Sequence, residues 1–142
     1  MQTRQIPDGQ YTATVYTLIR EGRLEEVCSI LNKELQTSPR SRAALSLLGY
    51  CYYNLQDFAM AATMYEQLVR YYPDIEEYRI YHAQSLYKGA QYEDAMQALN
   101  AIRSQQYAQR VLLMQAAVKY EQDDLGHAKQ VLTSCAQNDP EA

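Results

Sequence analysis

Residues Leu45 to Pro73 read LSLLGYCYYNLQDFAMAATMYEQLVRYYP. Leu45, Leu48, Gly49 and Tyr52 recur at the i, i+3, i+4, i+7 spacing that puts apolar residues on one face of a helix. Ala61, Tyr65 and Leu68 continue the same spacing on a second helix. Asp57 opens that second helix as an N-cap, and Pro73 closes it because proline has no N–H to continue the ladder. The stretch is a helix, a turn and another helix. Its small residues, Gly49 and Ala61, belong where two helix axes approach closely, and the large ones fill the holes between them.

The same residue classes return one period away. Adding 34 to Gly49, Tyr52, Ala61, Tyr65, Leu68 and Pro73 gives Ala83, Leu86, Ala95, Leu99, Ile102 and Tyr107, which agree apart from the proline. Subtracting 34 gives Val15, Leu18, Val27, Leu31, Glu34 and Pro39, a looser copy that keeps it. Downstream, Ala117 and Tyr120 fit a first helix, while Ala128, Leu132, Cys135 and Pro140 fit a second if one residue is lost between the two. This order and spacing resemble the tetratricopeptide repeat, a unit that cannot bury its apolar face alone and stacks on its own copies.

The resemblance implies an all-α protein: a right-handed superhelix of about four helix–turn–helix repeats over 7–140, with units near 8–40, 41–74, 75–108 and 109–140. The punctuation predicts eight helices, about 9–21, 24–37, 42–54, 58–71, 75–88, 92–104, 108–121 and 125–137. Asp8, Ser41, Asp57 and Asp74 are the candidate caps, and Gly22 marks the first turn. In the last helix Leu125, Ala128, Val131, Leu132 and Cys135 are spaced for contact with its partner helix.

Composition agrees. The 142 residues are 47% hydrophobic, enough for one ordinary core. Fourteen tyrosines stand against one phenylalanine and no tryptophan, so most of the aromatic surface carries a hydroxyl that needs water or a hydrogen-bond partner. A net charge of −4 gives no general attraction to nucleic acid or to an anionic membrane. No apolar run approaches the roughly 20 residues of a membrane span, and the N-terminus lacks the apolar stretch of a signal peptide. These features predict a soluble protein of the cytosol or a connected compartment.

Nothing in the sequence is spaced for catalysis. Cys28, Cys51 and Cys135 lie far apart and form no CxxC pair, which reads as free thiols in a reducing compartment. His82 and His127 have no second ligand at i+4, and His82 takes the repeat position of Leu48, a packing role. Adjacent carboxylates such as Glu76 and Glu77 point to different sides of a helix, and no glycine-rich phosphate loop occurs. The expectation is a protein without enzymatic activity, cofactor or metal.

In the tetratricopeptide fold the first helix of each pair lines the concave surface, through its second, fifth, ninth, twelfth and thirteenth positions. Here the ninth are Tyr16, Tyr50, Gln84 and Val118, and the twelfth Ile19, Tyr53, Tyr87 and Glu121. The fifth are Thr12, Ser46, Ile80 and Met114. The Lys and Asn with which chaperone-binding members hold a peptide carboxylate at the fifth and ninth positions are missing. Tyr16, Ile19, Tyr50, Tyr53, Ile80, Tyr87 and Met114 are the expected partner-binding residues. Tyrosine rings stack on proline and their hydroxyls bond peptide carbonyls, so the groove suits an extended apolar or proline-rich segment.

More specific stretches carry a second resemblance. Ile6-Pro7-Asp8-Gly9, Ser38 through Ala43, Leu45 through Tyr53, Tyr65 through Leu68 and Gln115 through Tyr120 resemble the tetratricopeptide repeat protein 30 (fleer) family, a subunit of the intraflagellar transport B particle. The resemblance runs from residue 6 to about 125 and covers only the N-terminal part of a family member. It implies a scaffold of ciliary transport, located in the cilium. Its groove would hold a proline-rich segment of intraflagellar transport protein 52 homolog. Other complex B subunits would be neighbours, and kinesin-2 would move the particle. The competing reading is a generic cytosolic tetratricopeptide scaffold with an unrelated peptide ligand.

Overall fold

The structure, a computed structural model, describes residues 8–138. It contains α1 (Asp8–Arg20), α2 (Leu24–Thr37), α3 (Arg42–Asn54), α4 (Phe58–Tyr71), α5 (Glu77–Lys88), α6 (Tyr92–Asn100) and α7 (Ala108–Asn138), with a 3₁₀ turn at Gln105–Tyr107 before the last. No strand occurs among the described residues. Consecutive helices pack on one another, and α5 also reaches α7. Pro7 and Pro140, at the ends of the expected array, and the side chain of Cys135 lie outside what the structure describes.

The 34-residue period is written into the backbone as well as the side chains. Gly22, Gln56 and Ala90 are each 34 residues apart and each has a left-handed φ, +75°, +64° and +62°. At each, two N–H groups close the helix end. Gly22 donates to the Ile19 carbonyl at 3.0 Å and Arg23 to Leu18 at 2.9 Å, with the same pairs at Gln56 to Tyr53, Asp57 to Tyr52, Ala90 to Tyr87 and Gln91 to Leu86. This closure satisfies carbonyls that the helix end would otherwise leave bare. It also reverses the chain within three residues, which lays the second helix of each pair against the first.

Ser41 and Asp57 cap as expected: the Ser41 hydroxyl accepts from the Ala44 N–H, and the Asp57 carboxylate from the Met60 N–H, both at 3.3 Å. Asp74 does not. The third pair begins at Glu77, so Asp74 falls in the turn before it. The second helix of that pair stops at Asn100, short of the expected 104, and Ser104 instead caps the 3₁₀ turn by accepting from the Gln106 N–H.

Two apolar clusters result. Val15, Val27, Leu31, Leu45, Leu48, Leu68 and their neighbours fill the first two pairs. Ile80, Ala83, Ala95, Leu99, Ile102, Val111 and Val118 fill the third pair and the start of α7.

The expected fourth turn is not formed. Residues 108–138 make a single helix, so Leu125, Val131 and Leu132 do not fold back onto its first half and are exposed. No residue between 119 and 138 takes the left-handed φ that closes the three earlier turns. Lys119 and Asp123 pair at 3.8 Å, one turn apart, across the place where the break was expected. Continuing the helix retains its backbone hydrogen bonds across 121–124. Folding back would break several of them for a thin apolar stripe, and Gly126 has open space around it.

Candidate functional site

Helix α4 packs against both α3 and α5, and the space between these two first helices is a cavity of about 460 Å³. From α3 it is lined by Ser46, Tyr50, Tyr53 and Asn54, and from α5 by Tyr78, Tyr81, Gln84 and Ser85. Tyr65 is the single contribution of α4. Five tyrosines thus surround one concavity whose lining carries no formal charge. A second cavity of about 270 Å³ continues the wall toward α7, lined by Gln84, Tyr87, Lys88, Arg110, Leu113, Met114 and Ala117. Gln84 borders both, which makes them one groove along the array.

Hydrogen bonds between helices hold the rings in place. The Gln84 amide donates to the Tyr53 hydroxyl at 3.1 Å, joining α5 to α3. Arg42 Nε donates to the Tyr78 hydroxyl at 2.7 Å and its guanidinium lies 5.8 Å from that ring's centroid, while the Ser46 hydroxyl donates to the same oxygen at 3.4 Å. The Tyr81 hydroxyl donates to the Glu77 carboxylate, a bond that pushes the Tyr81 pKa up because ionisation would break it and place two anions together. Tyr53 meets Phe58 edge to face at 5.2 Å, and Tyr65 lies 5.4 Å from Tyr81. Burial pushes the Tyr65 phenol up to about 12, so it is a neutral donor at any physiological pH.

Of the residues read from the sequence, Tyr50, Tyr53, Tyr87 and Met114 all line this groove. Tyr50 is 49% exposed, whereas Tyr53 and Tyr87 are half-buried. Tyr16 is exposed on α1 outside both cavities, and Ile19 is half-buried against the first cluster. Ile80 corrects the expectation: its side chain is fully buried in the second cluster with Ala83 and Val111 and offers nothing to a ligand. The polar residue at the same repeat position, Ser46, lines the cavity; a β-branched apolar side chain at that position is drawn into the core instead.

Sequence reading missed Tyr65, Tyr78 and Tyr81 as groove residues. One period away from Tyr81 stand Leu47 and Gln115, and from Tyr78 Ala44 and Leu112. The signal was tyrosine appearing at positions where the other units carry no aromatic.

The remaining candidate chemistry is structural. Cys28 and Cys51 are buried free thiols, and burial pushes Cys51 up to about 12, far from a reactive thiolate. His82 is half-buried in a mixed-charge depression with Glu66, Arg79 and Asp94, and burial lowers its pKa. Among the described residues no three His, Cys, Asp or Glu gather to hold a metal, and no helix is long and apolar enough to cross a membrane.

The tetratricopeptide repeat model matches residues 43–74, the pair α3–α4 that supplies half of the groove. The fold is a tetratricopeptide array. It superimposes on the MamA RS-1 ArsTM double mutant with a TM-score of 0.69 at 19% identity, over 97% of this chain and 79% of that one. The type III secretion translocator chaperone SycD of Yersinia enterocolitica gives 0.66 at 15% identity, over 84% and 90%. In sequence, the chain is 50% identical over all 142 residues to intraflagellar transport protein 70A of Xenopus tropicalis, and 55% identical over 122 residues to that of Homo sapiens. It spans 22% of the length of the first and 18% of the second.

Proposed function

We propose that this chain is a protein-binding scaffold of intraflagellar transport, acting within complex B in the cilium and supporting cilium assembly. The observation that carries the reading is 50% identity over all 142 residues to intraflagellar transport protein 70A of Xenopus tropicalis. The tyrosine groove supports its finer part: the groove holds an extended proline-rich or apolar segment of a partner subunit, intraflagellar transport protein 52 homolog. Tyr50, Tyr53, Tyr87 and Met114 contact that segment, and Tyr16 and Ile19 extend the surface toward the first pair. Kinesin-2 is reached through the particle rather than by this chain.

A groove of this kind selects by shape and hydrogen bonding. Its inner lining around the larger cavity is uncharged, so a charged chain end would be desolvated there without a counter-ion. Flat rings and carbonyl oxygens meet matching surfaces. The role asks for binding and orientation only, with no reaction.

The test is affinity capture from ciliated cells with this chain as bait, beside titration with the isolated proline-rich segment. Recovery of complex B subunits and saturable binding of the segment are the expected results. Recovery of unrelated cytosolic proteins without any complex B subunit would favour a general scaffold and overturn the assignment.

A further inference from the structure

We infer that the Tyr65 hydroxyl is a ligand-anchoring donor: it stands at the floor of the α3–α5 cavity to bond a main-chain carbonyl of a proline-rich segment seated there. The inference rests on the groove reading above and adds a specificity-determining residue to it.

Three observations carry it. Tyr65 is 8% exposed and lines the cavity, yet its hydroxyl has no hydrogen-bond partner among the described residues. A polar group left without a protein partner in a cavity is completed by water or by a ligand, and a ligand carbonyl that displaces that water takes over its hydrogen bond. The packing slot does not need the hydroxyl. One period away in each direction the same position is Leu31 and Leu99, both fully buried and both filling the slot with carbon alone. Tyrosine here therefore adds an oxygen that the fold does not use.

The neighbouring hydroxyls set the polarity of what fits. Tyr53 and Tyr78 each accept, from Gln84 and from Arg42, and neither donates its own proton to a described residue, so both protons remain available to an acceptor seated in the cavity. With Tyr65 this makes three phenolic donors around one concavity. A proline residue brings a carbonyl acceptor and no N–H, so consecutive prolines satisfy these donors without adding unpaired donors of their own. Their rings also present flat apolar faces to the walls formed by Tyr50 and Tyr81. Burial, which keeps Tyr65 protonated, holds it in the donating form.

The experiment compares wild type with Tyr65→Phe and Tyr65→Leu, by thermal melting and by calorimetric titration with a blocked oligoproline peptide. Removing an unpartnered buried hydroxyl should leave the melting temperature unchanged or raise it, while weakening peptide binding roughly tenfold, as loss of one well-made hydrogen bond does. Tyr65→Leu, which copies the neighbouring units, should fold and weaken binding at least as much. Affinity lost without stability lost in Tyr65→Phe is the signature. A purely structural tyrosine would lose both together, and that result overturns the inference. Equal binding by wild type and Tyr65→Phe overturns it while leaving the groove reading in place. Failure of the wild type to bind the peptide removes both.

Discussion

The ring of Tyr65 lies against Gly49, so closely that a Cβ on Gly49 would come within 2.6 Å of Tyr65 Cζ and 2.9 Å of both ring Cε atoms. One missing methyl group in α3 thus lets a side chain of α4 pass between the first helices and reach the groove. The small residue of the repeat signature and the aromatic floor of the cavity are two halves of one contact.

Gly49→Ala should therefore be destabilising, the clash with the buried ring outweighing the ~1 kcal/mol that alanine gains over glycine inside a helix. Forcing a carbon into an occupied position in a close-packed core costs about 1–3 kcal/mol, and Gly49→Leu more. Combining Gly49→Ala with Tyr65→Leu should recover part of the loss, because the clashing ring is gone. Thermal melts of the two single variants and the double variant measure this coupling; strict additivity would show that the ring is not what Gly49 accommodates.

Tyr50 and Tyr53 separate binding from folding. Tyr50 is half exposed and its side chain makes no described hydrogen bond, so Tyr50→Ala should weaken partner binding about tenfold with little change in stability, as truncated aromatic anchors do. Tyr53→Ala also loses the Gln84 bond and the Phe58 contact, and should lower the melting temperature as well. Parallel titration and melting distinguish the two; unaltered binding in Tyr50→Ala would remove it from the interface.

The turn residues Gln56 and Ala90 hold left-handed backbones that cost non-glycine residues about 1 kcal/mol. Gln56→Gly and Ala90→Gly should each stabilise by a few tenths to about 1 kcal/mol, offset in part by the greater freedom of glycine in the unfolded chain. Chemical denaturation curves give the sign directly. Destabilisation at both positions would mean that the turns are not closed in this way.

Alkaline pH should weaken the fold in a defined window. Cys51 and Tyr65 are both pushed up to about 12 in the folded protein, above ordinary values of 9.0 and 10.0. Between the ordinary and raised values the unfolded chain releases protons that the folded chain keeps, so stability is full below pH 9 and falls from there toward pH 12. Tyr65→Phe should flatten the fall above pH 10, and Cys51→Ala the fall above pH 9. Melting temperature against pH for the three proteins tests it.

Helix α7 should divide into two parts by hydrogen exchange. Val111 and Val118 are buried, whereas Tyr120, Leu125, Val131 and Leu132 are 47–71% exposed among the described residues. Helices in proteins gain most of their stability from tertiary packing, so amides up to about Val118 should be protected and those beyond it should exchange rapidly. Uniform protection to residue 138 would show that the second half is covered in solution.

The three complete helix pairs were determined by the sequence alone. Gly49, Ala61, Ala83 and Ala95 at one period mark where neighbouring helices approach closely, and Asp57 and Gly22 place two of the turns. Local chemistry of that kind is legible because it depends on residues close in the chain. Tyr50, Tyr53 and Tyr87 were legible as groove residues through the resemblance to the tetratricopeptide repeat, which implies that the ninth and twelfth positions of each first helix face the concave side. Only the tertiary structure decided that Ile80 turns inward while Ser46 stays in the cavity, because burial depends on what the next helix offers. It alone showed Tyr65 crossing from α4 to the groove past Gly49, a contact between residues 16 positions apart in sequence whose consequence lies between two other helices. And it left α7 unbroken: the spacing of Ala128 and Leu132 marks a face that could fold back, but whether it does depends on the apolar area buried against the backbone bonds given up.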